Sequence, residues 1–285
     1  MSVDLSVVIV TYNSRAHIGE CLASAVRALA GLAAEICVVD NASADSTAAL
    51  VRAQAPNVMV IDAPENRGFA AGVNLGLSQT TGRYVLWLNP DSRFIGGSVA
   101  SVIEWLDAHQ KVGIAGGRIL DPDGSVQRSV RSFPSYGAVL GARHSILSKL
   151  LPSNPFSRQY LRADLSYQET ATADWVSGAC LIHRRSVSDA LGGLDDGFFM
   201  YFEDVDFCYR ATQAGWTVMF HPGFTIEHHI GGSSECSRFR MLIVRHHSLW
   251  RWYTKHFRRM PVKDAAVWCG VWLRCGVMML GRVWR

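Results

Sequence analysis

The chain has 285 residues, 49% of them hydrophobic and 18% charged, which excludes wholesale disorder and a fibrous repeat and leaves ample chain for a buried core. Its net charge of +4 is unevenly divided: residues 1–237 carry 17 Lys and Arg against 23 Asp and Glu, whereas residues 238–285 carry 11 against Asp264 alone, with five of the nine Trp. An acidic body with a basic, Trp-rich end points to an anionic partner, either a membrane surface or a nucleic acid.

Residues 7–10 form a continuous β-branched run, as in a strand buried on both faces, and Thr11-Tyr-Asn-Ser14 ends it. Ile18, Leu22, Ala25, Val26 and Leu29 recur at three- and four-residue steps and predict a helix over residues 15–30. A second buried strand over 35–40 ends on Asp40, and a polar turn leads into a helix near 46–54. A third strand over 57–62, a helix over 68–78, a fourth strand over 83–88 and an amphipathic helix over 98–109 follow. Four alternations of strand and helix predict an α/β fold with a mostly parallel sheet. Ligands in such sheets bind beyond the carboxyl ends of the strands. The polar residues at 11–13, 40–43 and 89–91 stand at those ends and predict one site, although each alone is also an ordinary turn former or helix cap.

Beyond residue 112, strand-like segments at 112–117 and 118–120 reach the turn Asp121-Pro-Asp-Gly124. Residues 128–170 read as a long loop carrying Arg128, Arg131 and Arg143, a residue type that clamps diphosphates but is more often solvated in loops. Residues 175–183 predict one buried strand, 204–214 a helix and 216–220 a strand ending at His221-Pro222. Glu203, Asp204 and Asp206 are acids at a helix start, where the dipole favours them. Beside Phe199, Tyr201 and Phe202 one of them can also serve as a general base, its pKa raised by apolar walls. Asp91 on a strand-end turn can hold a divalent cation, and His228-His229 can meet a metal or a phosphate. The stretch from Gly68 to Gly76 lacks the G-x-G-x-x-G spacing and does not follow the first strand, which excludes a Rossmann dehydrogenase. Its glycines instead predict close packing of a helix on the sheet. The seven Cys include no Cys-x-x-Cys pair, so neither a disulfide framework nor a zinc knuckle is expected.

Taken in order, Val7-Val-Ile-Val-Thr-Tyr-Asn13, Val38-Val-Asp-Asn-Ala-Ser-Ala-Asp45, Asn66-Arg-Gly-Phe-Ala-Ala-Gly-Val-Asn74, Leu88-Asn-Pro-Asp91, Trp175-Val-Ser-Gly-Ala179, Phe198-Phe-Met-Tyr-Phe-Glu-Asp-Val-Asp206 and His228-His-Ile-Gly-Gly-Ser233 resemble the family 2 glycosyltransferases of the GT-A fold. The likeness is greatest to the bacterial rhamnosyltransferase-like branch that builds O-antigen and cell-wall polysaccharide, and it covers roughly residues 3–260. The resemblance implies a catalytic domain over 1–237, with a nucleotide-sugar half to about 112 and an acceptor half beyond it. It implies that Thr11, Tyr12, Asn13 and Asp40 hold the base and ribose of a dTDP- or UDP-linked sugar, with Asn41, Ser43 and Asp45 supporting that pocket. Arg67, Gly68, Asn74 and Asn89 would line the donor side. Asp91 and His228, with His229 as the alternative, would hold Mg²⁺ or Mn²⁺. Asn89 stands where the family's D-x-D motif has its first Asp, which leaves Asp91 as the one anionic ligand. Asp204 matches the catalytic base, with Glu203 beside it as supporting acid or acceptor contact. The implied reaction is inverting transfer to a lipid-linked or glycan acceptor. The competing reading is a non-catalytic relative that binds nucleotide-sugar or serves as a scaffold.

No basic n-region or cleavage site precedes the first strand, so no signal peptide is expected. The most apolar stretch, residues 265–281, is interrupted by Arg274, so no membrane span is expected. Lys263, Arg274 and Arg285 are eleven apart and fall on one helical stripe among Trp268, Trp272, Leu273 and Leu280. This predicts amphipathic helices over 238–285 that bind an anionic membrane, placing the protein peripherally on the inner face of the cytoplasmic membrane. The alternatives for this tail are packing on its own domain or a homodimer seam. Nucleic acid is set aside as a partner, because the body is acidic and carries no nucleic-acid motif.

Overall fold

A computed structural model describes residues 3–134, 158, 160–162, 164–229, 238–258 and 260–283. The first strand, β1 (Leu5–Thr11), is buried along its whole length and runs parallel to β2 (Ala34–Asp40) on one side. Its alternating side chains feed two cores. Val8 and Val10 enter the core that also holds Trp87, Phe207 and Trp252, while Val7 and Ile9 enter the core of Ile18, Leu22, Leu86 and Leu106. The helices α1 (Ile18–Ala28), α2 (Thr47–Gln54) and α3 (Phe69–Gln79) alternate with β3 (Met59–Asp62) and β4 (Tyr84–Leu88), as the pattern predicts. Gly72 and Gly76 let α3 lie directly on the sheet: a Cβ at either would come within 2.6 Å of Val10 or Val8.

The second half departs further from the pattern. A strand that the pattern missed, β5 (Ser92–Gly97), precedes α4 (Val99–Ala108) and pairs antiparallel with a distant partner, so its signal is not local. The two short segments expected over 112–120 are one strand, β6 (Val112–Leu120). The continuous strand expected over 175–183 is broken. After β7 (Val130–Arg131) and β8 (Ala171–Thr172), β9 (Trp175–Val176) pairs with β7 in a small second sheet, while β10 (Cys180–Arg184) enters the main sheet. The turn at Ser177, Gly178 and Ala179 makes the switch. A short helix, α5 (Arg185–Leu191), and then α6 (Glu203–Gln213) follow. The strand expected to stop at Phe220 is β11 (Thr217–His228), which runs on through Pro222. Proline is tolerated because its pairing with β6 is interrupted between Phe220 and Thr225.

Among the described residues the main sheet has the order β3-β2-β1-β4-β10-β6-β11-β5, with β8 on β11. β10 is antiparallel to both neighbours, so the sheet is mixed: β3, β2, β1 and β4 run parallel on one side of it, and β6 pairs parallel with β11 on the other. The chain ends in α7 (Arg238–His256) and α8 (Pro261–Val283). Leu249, Trp252 and Tyr253 of α7 and Val267 and Val271 of α8 join the same core as Trp87 and Phe207. Arg143, and the glycines after His229, lie outside the described residues. No helix among the described residues is long and apolar enough to cross a membrane.

Candidate active site

The parallel register brings Thr11 opposite Asp40 at the carboxyl ends of β1 and β2. The Thr11 hydroxyl donates to Asp40 Oδ1 at 2.9 Å, and the Ser43 N–H donates to Oδ2 at 3.0 Å. The next turns interlock. Asn13 N–H donates to Ser43 Oγ at 2.9 Å, and Asn13 Oδ1 accepts from Ala44 N–H at 2.8 Å. Asn13, Ala42 and Ser46 all have positive φ, near 52°, 59° and 62°, a left-handed geometry that non-glycine residues adopt only where surrounding bonds hold it. Asp45 is committed to this frame, accepting from the N–H groups of Arg15 and Thr47. Tyr12 is exposed beside it.

The Asn66–Asn74 segment meets the chain between α5 and α6. Gly68 has φ near +90°, and a Cβ there would fall 2.0 Å from the carbonyl oxygen of Phe199. Asn41 Nδ2 donates to the Gly68 carbonyl at 3.0 Å. Arg67 pairs with Asp196 at 3.1 Å in an exposed contact. Both ends of the Asn74 amide bond the backbone of Leu194, at 2.8 Å each, so it clamps α3 to the segment between α5 and α6.

Asp91 and His228 come together from the end of β4 and the end of β11, with His228 Nε2 3.4 Å from Asp91 Oδ1 and both side chains buried. Asn89 Nδ2 lies 3.2 Å from the same Nε2. His229 points elsewhere, to Glu227 at 3.2 Å, which separates the two histidines. A carboxylate and an imidazole suit Mg²⁺ or Mn²⁺, which keep waters and take substrate phosphate oxygens for the remaining positions. Among the described residues no cluster of three such ligands exists, so the pair offers a partial shell rather than a closed cage.

Glu203 and Asp204 open α6. They follow Tyr201 and Phe202, two consecutive non-glycine residues with φ near +68° and +70°. Such strain persists only where packing over-determines it. Glu203 is buried, and burial together with the charge of Asp204 pushes its pKa well above the ordinary range. Burial also raises Asp204, but the N–H groups of Gly178 and Val205, at 3.0 and 2.8 Å, and the charge of Arg131 favour its ionised form. Both carboxyls are therefore raised, Glu203 well above its ordinary range, with the donors around Asp204 working against its own rise. The turn that stabilises Asp204 also reaches the other pair: Ala179, next to Gly178, accepts the Asn89 N–H at 3.0 Å. Gln127, which the sequence reading missed, faces His228 Nδ1 at 3.0 Å. No sequence spacing marks it, because its partner is 101 residues away.

The model of Glycosyl transferase family 2 matches residues 6–190, more than half of the chain. The chain belongs to glycosyl transferase family 2. It is a rhamnosyltransferase-like member with the GT-A form of the α/β fold. It is 32% identical over 273 residues to the N-acetylglucosaminyl-diphospho-decaprenol L-rhamnosyltransferase of Mycobacterium tuberculosis (strain ATCC 25618 / H37Rv), covering 87% of this chain and 86% of that one. It is 28% identical over 147 residues to the rhamnosyltransferase WbbL of Escherichia coli (strain K12), about half of each chain (51% and 52%). Among solved structures, the mannosyltransferase PcManGT from Pyrobaculum calidifontis, in complex with GDP-Man and Mn²⁺, aligns with a TM-score of 0.59 at 18% identity over 96% of this chain and 70% of that one. S. aureus TarS 1-349 in complex with UDP aligns at 0.57 and 15% identity, over 93% and 69%. These two likenesses show the fold.

Proposed function

We infer that this family 2 glycosyltransferase transfers a sugar with inversion from a dTDP- or UDP-linked donor to a hydroxyl of a lipid-linked glycan acceptor, with rhamnose as the sugar. The observation that carries the reading is the turn at residues 177–179, which touches both acid-bearing centres: Gly178 binds Asp204 and Ala179 binds Asn89 beside Asp91 and His228. An inverting displacement needs a base on one face of the anomeric carbon and a stabilised leaving group on the other. Asp204, ionised beside a protonated Glu203, takes the proton of the acceptor hydroxyl as its oxygen attacks. Asp40, Thr11 and the turns around Asn13 and Ser43 hold the nucleoside. Asp91 and His228 would hold Mg²⁺ or Mn²⁺, which would supply positive charge against the departing diphosphate.

The relative from M. tuberculosis is named for a diphospho-decaprenol substrate, and the tail of this chain supports a membrane-bound acceptor. Helix α8 turns Val267, Val271 and Cys275 inward and exposes Val262, Trp268, Leu273 and Leu280. That face carries the peripheral membrane contact in this reading, on the cytoplasmic side where nucleotide sugars are available. The basic stripe expected to accompany it does not form as drawn. Arg274 is turned inward, where burial and the charge of Arg245 lower its pKa, and Arg285 lies outside the described residues. The exposed positive charges at the start of α8 are Lys263 and, just before the helix, Arg258, which lies 3.7 Å from Asp264.

The test is direct. Purified protein is given dTDP-rhamnose or UDP-sugars, Mn²⁺ and a short-chain N-acetylglucosaminyl-diphospho-lipid, and the product anomer is read by NMR. A new glycoside of inverted configuration, lost on chelation, supports the reading. Donor binding without transfer to any such acceptor overturns it in favour of a binding module.

A further inference from the structure

We propose that Gln127 is a positioning residue for the metal pair, fixing the tautomer of His228 so that the Nε2 lone pair faces Asp91. The inference rests on the reading of Asp91 and His228 as metal ligands. A neutral imidazole has one N–H and one lone pair, and only the lone pair can meet a cation. Which nitrogen carries the proton is set by the hydrogen bond at the other.

The orientation of the Gln127 amide follows from its neighbours. Its Nε2 lies 2.8 Å from Asp121 Oδ1 and 3.0 Å from the carbonyl oxygen of His228, both of which can only accept. Turning the amide over would place its oxygen against two oxygens, so the NH₂ stays on that side and Oε1 faces His228. Oε1 lies 3.0 Å from His228 Nδ1 and has no proton to give. The bond therefore requires Nδ1–H, and the lone pair is left on Nε2. Asn89 agrees with this assignment from the opposite side, since its Nδ2 is a donor 3.2 Å from Nε2. The chain from Asp121 through Gln127 to His228 and Asp91 thus forms a relay of fixed polarity that ends in a lone pair beside a carboxylate. The Asn89 amide occupies that lone pair until a cation displaces it. This gives the Asn at the first position of the motif a function that an Asp could not perform, because a carboxylate has no proton to donate to Nε2.

The experiment measures Mn²⁺ binding by the EPR signal of the free ion, with and without UDP, alongside the ¹⁵N shifts of the His228 ring, assigned by their loss in His228→Gln. Wild type should show the proton on Nδ1. Gln127→Met should weaken Mn²⁺ binding about tenfold or more, the usual effect of removing such an outer partner, and should shift the ring toward a mixture of tautomers. A proton on Nε2 in the wild type, or unchanged Mn²⁺ affinity in Gln127→Met, overturns the proposal. Asp91→Asn separates the two levels of failure. If it leaves Mn²⁺ binding intact, the metal reading fails and the inference with it; if it abolishes binding while Gln127→Met does not weaken it, the inference alone fails.

Discussion

The N–H of Gly178 donates a 3.0 Å hydrogen bond to Oδ2 of Asp204. A backbone donor aimed at a half-buried carboxylate favours its ionised form and holds it in one orientation. Asp204→Asn keeps the shape but removes the basicity. Transfer should fall by about 10²- to 10⁴-fold, the usual contribution of a general base, while calorimetric affinity for UDP or dTDP stays within error of wild type. Nucleotide affinity falling in step with turnover would remove Asp204 from the role of base.

Glu203 gives a pH test with a defined sign. Its folded-state pKa is raised by burial and by the charge of Asp204. Between the unfolded value and that raised value, the folded protein holds a proton that the unfolded chain has released. Stability from this group is therefore present at low pH and lost as pH rises through the window. Glu203→Gln is isosteric with the protonated acid and cannot ionise. Its melting temperature should exceed that of wild type by a margin that grows with pH, and its turnover near neutral pH should stay within a few-fold, as for any substitution that preserves the shape and polarity of the working state. A melting difference that is flat with pH would mean that Glu203 is ionised in the folded protein.

Asp206, two residues on, has the opposite behaviour. It is fully buried and accepts from Arg210 Nε and His256 Nε2 at 2.7 Å, with Lys255 Nζ at 2.8 Å. Burial alone would raise its pKa, but the hydrogen bonds from His256 and Lys255 and the charge of Arg210 outweigh it and the net shift is downward. Its stabilisation is present above the unfolded carboxylate value and lost as pH falls through that value toward the lower folded one. Because His256 and Lys255 belong to α7, the tail helix is pinned to the helix that bears Asp204. Asp206→Ala removes the carboxylate from the largely buried Arg210 and His256, while Lys255 keeps Asp195 at 2.7 Å, and should cost about 3–5 kcal/mol in urea unfolding at pH 7, a deficit that shrinks as the buffer is acidified.

The residues at 11–13 and 40–43 and the acids at the start of α6 were legible because each is local: a buried β-branched run, then polar residues, then a helix. The motif around Asn74 gives no sign of its bond to Leu194, 120 residues away. Gln127 is not legible for the same reason, since its role depends on where the end of β11 meets β4; the motif ranks His228 ahead of His229, and the fold adds that His229 turns to Glu227. The antiparallel insertion of β10 also has no local signature, because the run from Trp175 to Ile182 is apolar except at Ser177 and Gly178, and only those residues mark the change of sheet. The tail read as amphipathic, but the eleven-residue spacing could not say which stripe faced inward.

Asn89→Asp tests the departure from the acidic motif. A second carboxylate beside Asp91 and His228 adds negative charge to the shell, and cation affinity rises with that charge. Mn²⁺ should bind about tenfold tighter in the absence of nucleotide, read by the EPR signal of the free ion. Equal affinity in the variant would place position 89 outside the metal shell.

The exposed face of α8 gives the last prediction. Leu273 and Leu280 are 71% and 64% exposed, seven residues apart, with Trp268 49% exposed on the same helix. Seven residues make two turns to within about 20°, so the two leucines share a stripe. Water-facing leucines at this spacing gain by entering the headgroup and acyl boundary of a bilayer, and each buried side chain contributes about 1.5–3 kcal/mol. Leu273→Glu with Leu280→Glu removes that gain and adds repulsion from anionic lipid, without touching Val267 or Val271, which face the core. Flotation with vesicles of phosphatidylglycerol and phosphatidylcholine should carry the wild type and leave the double variant in solution, while transfer to a soluble short-chain acceptor is retained. Equal flotation of both proteins would detach this face from the membrane. A wild type that does not float, and instead sediments as a dimer that the two glutamates dissociate, would assign the face to a second copy of the chain.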